Sequence, residues 1–353
     1  MLKEEMIQMN SLLTKFTFTD ELTDVIENCK GVCVPTSKAE LYDMVFGPEH
    51  ADVYDVVFDV PGKGQIKEAD VVRCKNGASV NFAEDYMRRR EPDCMRIADD
   101  KPTDKKRFAD VYGYKFDKLR RDWFKTQELI LMPFNSGGNQ YGYGSMLVCP
   151  KQCAFFAFAL AHLQGFVSAE ETEGYKPRAI IYVAPPFRHT HFEGKQVVVH
   201  NRLDDCHEVF SYNLYPGPSA KKGVYSVLLD IGEQEGWTTC HTSAGRLITP
   251  YENELVIMHE GASGGGKSEM LQDIAREPDG EVLLSTNTVT GEKTYLHISS
   301  TCKIEPVCDD MATCYPGVQN KSGKLVLVDG EDGWFLRMDG VTHYGCDPVY
   351  ERI

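Results

Sequence analysis

Gly261-Ala262-Ser263-Gly264-Gly265-Gly266-Lys267-Ser268 completes the pattern G-x-x-x-x-G-K-[ST], and the rest of the chain is read outward from it. Glycines let successive backbone N–H groups turn inward around a phosphate, where side chains would block the approach. In such a loop Lys267 reaches the β- and γ-phosphates of a nucleotide, and the Ser268 hydroxyl ligates the Mg²⁺ that bridges them. The flanks agree. Leu255, Val256, Ile257 and Met258 make a short apolar run of buried-strand type, and Met270, Leu271 and Ile274 fall at helical spacing ahead of Pro278. Strand, glycine loop, helix is the order that points a helix N-terminus at an anion.

Composition narrows the setting. A chain of 353 residues has room for two domains and a large core. The formal net charge of −15 argues against a general nucleic-acid or anionic-membrane surface, so a basic site for an anionic substrate has to be local. No apolar run approaches the roughly 20 residues of a membrane span. The N-terminus has no basic segment followed by an apolar one, so the expected location is the cytoplasm. Twelve cysteines without a secretory signal then point to free thiols in a reducing compartment. The groupings Cys29/Cys33, Cys149/Cys153 and Cys302/Cys308/Cys314 lack the C-x₂-C pairs of a zinc ribbon.

The patterning predicts a mixed α/β (α+β) chain. A polar helix follows a cap-like Thr19, and strands alternate over 52–60 and 67–82. A charged surface segment covers 100–121, a glycine-rich loop 135–144, and a strongly apolar core helix 150–167. After Pro177 the texture reads as strands at 179–183, 196–199 and 224–229. His189-Thr190-His191 has strand spacing for a pair of side chains on one face, and reads as surface histidines. Leu325-Val326-Leu327-Val328-Asp329 is an apolar strand ending in an acid, the form in which a carboxylate holds the Mg²⁺ beside a phosphate loop.

Taken together, these residues resemble the ATP-dependent phosphoenolpyruvate carboxykinase superfamily, as a divergent branch of it. The loop 261–268 is similar to that family's phosphate loop, and Val328-Asp329-Gly330-Glu331-Asp332-Gly333-Trp334 to its second kinase motif. Cys240-His241-Thr242-Ser243-Ala244 resembles a stretch whose histidine is a metal ligand in the family, and His207 to Leu214 a His-x-x-Phe-x-x-Asn-Leu segment. Arg90-Glu91-Pro92 resembles an element whose arginine binds the substrate carboxylate. The chain departs from the family where a metal-binding lysine is expected, in Gly232-Glu233-Gln234-Glu235-Gly236, and where Gly330 replaces a second acid.

The resemblance implies an N-terminal α/β substrate domain over 1–240 and a phosphate-loop nucleotide domain over 241–353, incomplete at its C-terminus. It implies ATP and Mg²⁺ as cofactors, with Mn²⁺ at His241. Gly261, Ser263, Gly264, Gly265, Gly266, Lys267 and Ser268 would hold the phosphates. Ser268, Asp329 and His241 would hold metal, and Lys267, Asp329 and Arg90 would serve phosphoryl transfer to a small anionic substrate. The altered metal ligands leave a second expectation open, a nucleotide-binding regulatory or degenerate protein without turnover.

Overall fold

The computed structural model describes residues 13–75, 77–88, 95–100, 107–113, 117–214, 221–262, 264–271, 276–299 and 301–333. It divides into two compact units, one running to Gly236 and resumed at Asp332, the other from Trp237 to Glu331.

The first unit is mixed α/β. Its strands, in chain order, are β1 (Gly31–Cys33), β2 (Val53–Val60), β3 (Gly64–Arg73), β4 (Ala78–Phe82), β5 (Met95–Asp99), β6 (Glu128–Ser136), β7 (Tyr143–Pro150), β8 (Gly165–Phe166), β9 (Ala179–Val183), β10 (Gln196–Arg202) and β11 (His207–Ser211). Its longer helices are α1 (Asp20–Asn28), α2 (Lys38–Phe46), α3 (Asp117–Phe124), α4 (Ala154–Leu163) and α5 (Lys222–Glu235). The main sheet has the order β1-β6-β7-β9-β11-β10-β5, with β8 paired to β6. It is mixed: β7, β9 and β11 run parallel, whereas β6–β7 and β10–β11 are antiparallel.

Alternation across the pleat sorts the core. Leu129, Leu131, Met146, Val148, Ile180, Tyr182 and Phe210 share one buried cluster with Leu22 and Val25 of α1 and Phe124 of α3. The intervening Ile130, Met132, Leu147, Cys149, Ile181 and Val209 are equally buried, and α4 and α5 contact β6. A sheet covered on both faces reads in sequence as continuous apolar runs.

Local chemistry explains the helices. Thr19 caps α1 by accepting the Leu22 N–H at 3.3 Å, as its sequence suggested. The helix expected over 150–167 is α4, with Ala154 to Ala161 and Leu163 all buried. Two expectations fail. Residues 224–229 are the middle of helix α5, not a strand; Val224, Val227, Leu228 and Ile231 form a buried stripe at helical spacing, and Gly236 ends the helix with φ +78°. The loop expected over 135–144 is shorter, because the β6–β7 ladder continues to Ser136↔Tyr143 and leaves only 137–142 to connect them.

The second unit holds β12 (Thr239–Cys240), β13 (Thr242–Ile248), β14 (Glu254–Glu260), β15 (Val282–Thr286), β16 (Lys293–Leu296), β17 (Lys303–Cys308), β18 (Ala312–Thr313) and β19 (Val328–Asp329). They form the small antiparallel sheets β14-β13-β17 and β12-β18-β19 and the hairpin β15-β16. The apolar run 255–258 lies in strand β14, as expected, but β14 has no buried residue: Leu255 is 58% exposed and Val256 62%. Of the final apolar run only Val328 and Asp329 are strand.

Among the described residues, no helix is long and apolar enough to cross a membrane.

Candidate functional site

The second unit carries its glycine loop on a hairpin. β13 and β14 pair without a break from Thr242↔Glu260 to Ile248↔Glu254. The turn between them is tied by Thr249 Oγ1, which accepts the Tyr251 and Asn253 N–H groups at 3.3 and 3.1 Å. The chain leaves β14 directly into Gly261 and Ala262. Three glycines are needed here for two reasons. Gly264 and Gly266 have φ of +81° and +87°, which L side chains resist. Gly265 donates its N–H to the Ala262 carbonyl at 3.0 Å, and a Cβ at 265 would lie only 3.0 Å from that same oxygen.

The far end of the loop is pinned to the sheet. Ser243 Oγ, buried on β13, donates to the Lys267 carbonyl at 2.8 Å. Ser268–Leu271 then forms a short 3₁₀ turn, and Leu271 is buried close to Gly245. The expected longer helix continues into 272–275, which lie outside the described residues.

Lys267 points back under the loop, only 6% exposed. Its Nζ lies 3.4 Å from Asp310 Oδ1, 3.3 Å from His241 Nε2 and 3.4 Å from the Ala262 carbonyl. His241 Nε2 is itself 2.9 Å from Asp310 Oδ1. Ser268 Oγ donates to Asp309 Oδ1 at 2.9 Å. An ammonium, a hydroxyl, an imidazole and two carboxylates therefore meet where β17 ends. Asp309 and Asp310 are 1% and 7% exposed; Asp310 faces the Lys267 ammonium, and Asp309 accepts the Ser268 hydroxyl. Asp310 has φ +60°, unusual for a residue with a side chain, and such strain gathers at functional sites.

The structure thus brings His241, Lys267 and Ser268 together with Gly261, Gly264, Gly265 and Gly266. Asp329 stands on β19, opposite Ala312, and its carboxylate accepts the Glu331 N–H at 3.1 Å. Its charge also falls on buried Cys308, whose thiol burial pushes up to about 12, with Asp329 and Asp309 adding to the rise. Arg90 and Ser263 lie outside the described residues. The acids that meet the loop, Asp309 and Asp310, were not picked out from the sequence. Their signal was a strand followed by paired acids, blurred by Glu305 and Pro306 inside β17.

Among the described residues no group of three or more His, Cys, Asp or Glu side chains is arranged to hold a metal ion. A serine hydroxyl beside one carboxylate is a hard-oxygen pair, of the kind that shares Mg²⁺ with substrate phosphates without enclosing it. The donors fit a magnesium ion that arrives with a nucleotide.

His189 and His191 do not sit on a strand. They belong to a helical turn, Phe187–Thr190 and its cap, where His189 Nε2 contacts Glu68 Oε1. Glu68, fully buried, also accepts from Arg188 and from the Tyr86 hydroxyl. The network fixes β3 and the turn against each other within the first unit.

A mixed α/β protein with a glycine loop at the end of a hairpin is the class these observations define. The chain belongs to the family described as "Domain of unknown function (DUF4914)", whose model matches residues 18–353. A comparison with curated proteins finds no match.

Proposed function

We propose that this protein is an ATP- and Mg²⁺-dependent phosphoryl-transfer enzyme of phosphoenolpyruvate carboxykinase-like type, acting on a small anionic substrate. One observation carries the reading: the Lys267 ammonium and the Ser268 hydroxyl, consecutive at the end of a glycine loop, face Asp310 and Asp309 respectively. The carboxykinase-like architecture rests on the sequence resemblance.

In this reading the N–H groups of Gly264 and Gly266 line the phosphate site, while that of Gly265 closes the turn onto Ala262. Lys267 exchanges part of its contact with Asp310 for the β- and γ-phosphate oxygens, neutralising charge on the group in transfer. Magnesium bound with the nucleotide would supply further neutralisation of the phosphate oxygens. Ser268 and Asp309 are the side chains that would hold it. Asp310 keeps the His241 imidazole oriented at the end of the loop.

The test is titration calorimetry of Mg-ATP into the wild type and Lys267→Ala. The substitution is expected to weaken binding by about tenfold to a hundredfold, the range of a lost charge-assisted contact. Unchanged affinity in a variant that melts like the wild type would overturn the reading. Oxaloacetate offered with Mg-ATP then tests the carboxykinase chemistry, with phosphoenolpyruvate as its product.

A further inference from the structure

Two thiols meet beside His241, one of them on the residue just before it. Cys240 ends β12, which pairs antiparallel with β18 as Thr239↔Thr313 and Cys240↔Ala312. The ladder extends one step further through the Cys314 N–H, which donates to the Thr238 carbonyl at 2.9 Å. Cys314 is two residues beyond Ala312, so it faces the same side of the sheet as Cys240, on the diagonal. The two Sγ atoms are 4.0 Å apart.

We propose that Cys240 and Cys314 form a redox pair that closes to a disulfide, and that closure draws His241 away from Lys267 and Asp310. The second half rests on the reading of the glycine loop as a nucleotide site.

The environments of the thiols set the order of events. Cys240 is half-buried, within reach of a small oxidant, whereas Cys314 is buried. Burial and the neighbouring Cys240 push the Cys314 thiol up to about 11, so Cys314 is the slower nucleophile at neutral pH. The chemistry needs a low-molecular-weight disulfide, glutathione disulfide in the test below. The Cys240 thiolate attacks one sulfur of it and expels one glutathione thiolate. Cys314 then loses its proton to solvent and attacks Cys240 Sγ, expelling the second glutathione. Two protein thiols become one disulfide, and the oxidant leaves as two glutathione thiols.

Bond formation requires the sulfurs to approach by about 2 Å. The β12–β18 pairing holds both cysteines, and any part of the movement taken up at Cys240 passes to His241, the next residue. The His241 carbonyl accepts the Gly261 N–H at 3.5 Å and its ring contacts both Lys267 and Asp310. A shift at Cys240 therefore reaches the start and the end of the loop together.

The whole reduced protein is incubated with glutathione disulfide, digested without reductant and mapped by mass spectrometry. The expected product joins the peptides of Cys240 and Cys314, while Cys314→Ser arrests the reaction with glutathione on Cys240. If both residues stay as thiols while exposed Cys302 carries glutathione, the pair is refuted. Oxidised protein is expected to bind Mg-ATP roughly fivefold more weakly or worse, with affinity restored by dithiothreitol. An unchanged affinity with the bond formed refutes the coupling. If the reduced protein binds no nucleotide, the functional reading fails instead. The peptide map still decides the pair, and the His241 ring resonance, assigned with His241→Gln, still decides whether oxidation moves that side chain.

Discussion

Strand β9 in the first unit buries all five of its residues; strand β14 in the second, seven residues long, buries none. Both units bury charged groups, Glu68, Asp99, Arg188 and Glu208 among them in the first; what sets the second apart is the number of apolar side chains it leaves exposed. The second unit buries Lys267, Asp309, Asp310 and Glu331 while it exposes Leu255, Val256, Leu284 and Leu325. The first unit draws its stability from area removed from water. The second is shaped by ladder hydrogen bonds, turn glycines and paired charges around the loop. Sites that must meet a charged ligand are drawn from structure of this less apolar kind.

The largest expected effect separates the two regimes. Leu147 is fully buried between β6 and β9, so Leu147→Ala should cost about 2–5 kcal/mol in a denaturant melt. Leu255→Ala, at a position 58% exposed, should stay within about 0.5 kcal/mol. Equal losses would break the comparison, because they would place β14 in a core.

Acid should act on the first unit through His200. This ring lies on β10 with Nδ1 3.1 Å from Nε2 of His207 on β11, and His207 Nδ1 faces Asp230 on α5 at 3.1 Å. Arg202, on the same strand as His200, bridges to Asp99 of β5. Burial, then His207 and Arg202, lower the His200 pKa to about 3, with Asp230 opposing. The unfolded chain takes up this proton near pH 6.5, whereas the folded one refuses it down to about 3. Stability present above pH 6.5 is therefore lost as pH falls, on the order of 2 kcal/mol by pH 5. His200→Gln should flatten that slope in melts run from pH 7 to pH 5.

How much of this was legible beforehand follows the same division. Elements governed by local chemistry read correctly: the Thr19 cap of α1, the alternation in β2 and β3, and the apolar length of α4. Helix α5 read as a strand because Val224, Val227 and Leu228 are apolar in a window too short to show the phase that Ile231 completes. The site was legible as far as its contiguous motif, 261–268. Its acids come from about forty residues further along, brought in by the antiparallel pairing of β17 with β13, which no local pattern encodes. Leu325 to Val328, ahead of Asp329, looked the better strand because the run is wholly apolar, yet Leu325 is 64% exposed.

Those two candidate acids can be set against each other. Asp309 accepts from Ser268, while Asp329 accepts from the backbone of Glu331. Asp309→Asn should weaken Mg-ATP binding by about tenfold, the low end for a lost charge-assisted contact, and Asp329→Asn by less. The reverse order in calorimetric titrations would move the magnesium partner to β19 and restore the reading made from the apolar strand alone.

The smallest effect probes the exposed face of β14 itself. Val256 pairs with Arg246 across the ladder and is 62% exposed, so its methyl groups already meet water. Val256→Thr keeps the β-branched shape that suits a strand and replaces one methyl with a hydroxyl that water can solvate. The change in stability should fall within about 0.5 kcal/mol, and Mg-ATP affinity should not move, since the loop is fixed from β13 through Ser243 and Lys267. A loss of several-fold in affinity from this single substitution would mean that the outer strand of the hairpin positions the loop as firmly as the inner one. The division between a buried scaffold and a hydrogen-bonded site would then have to be redrawn inside the second unit.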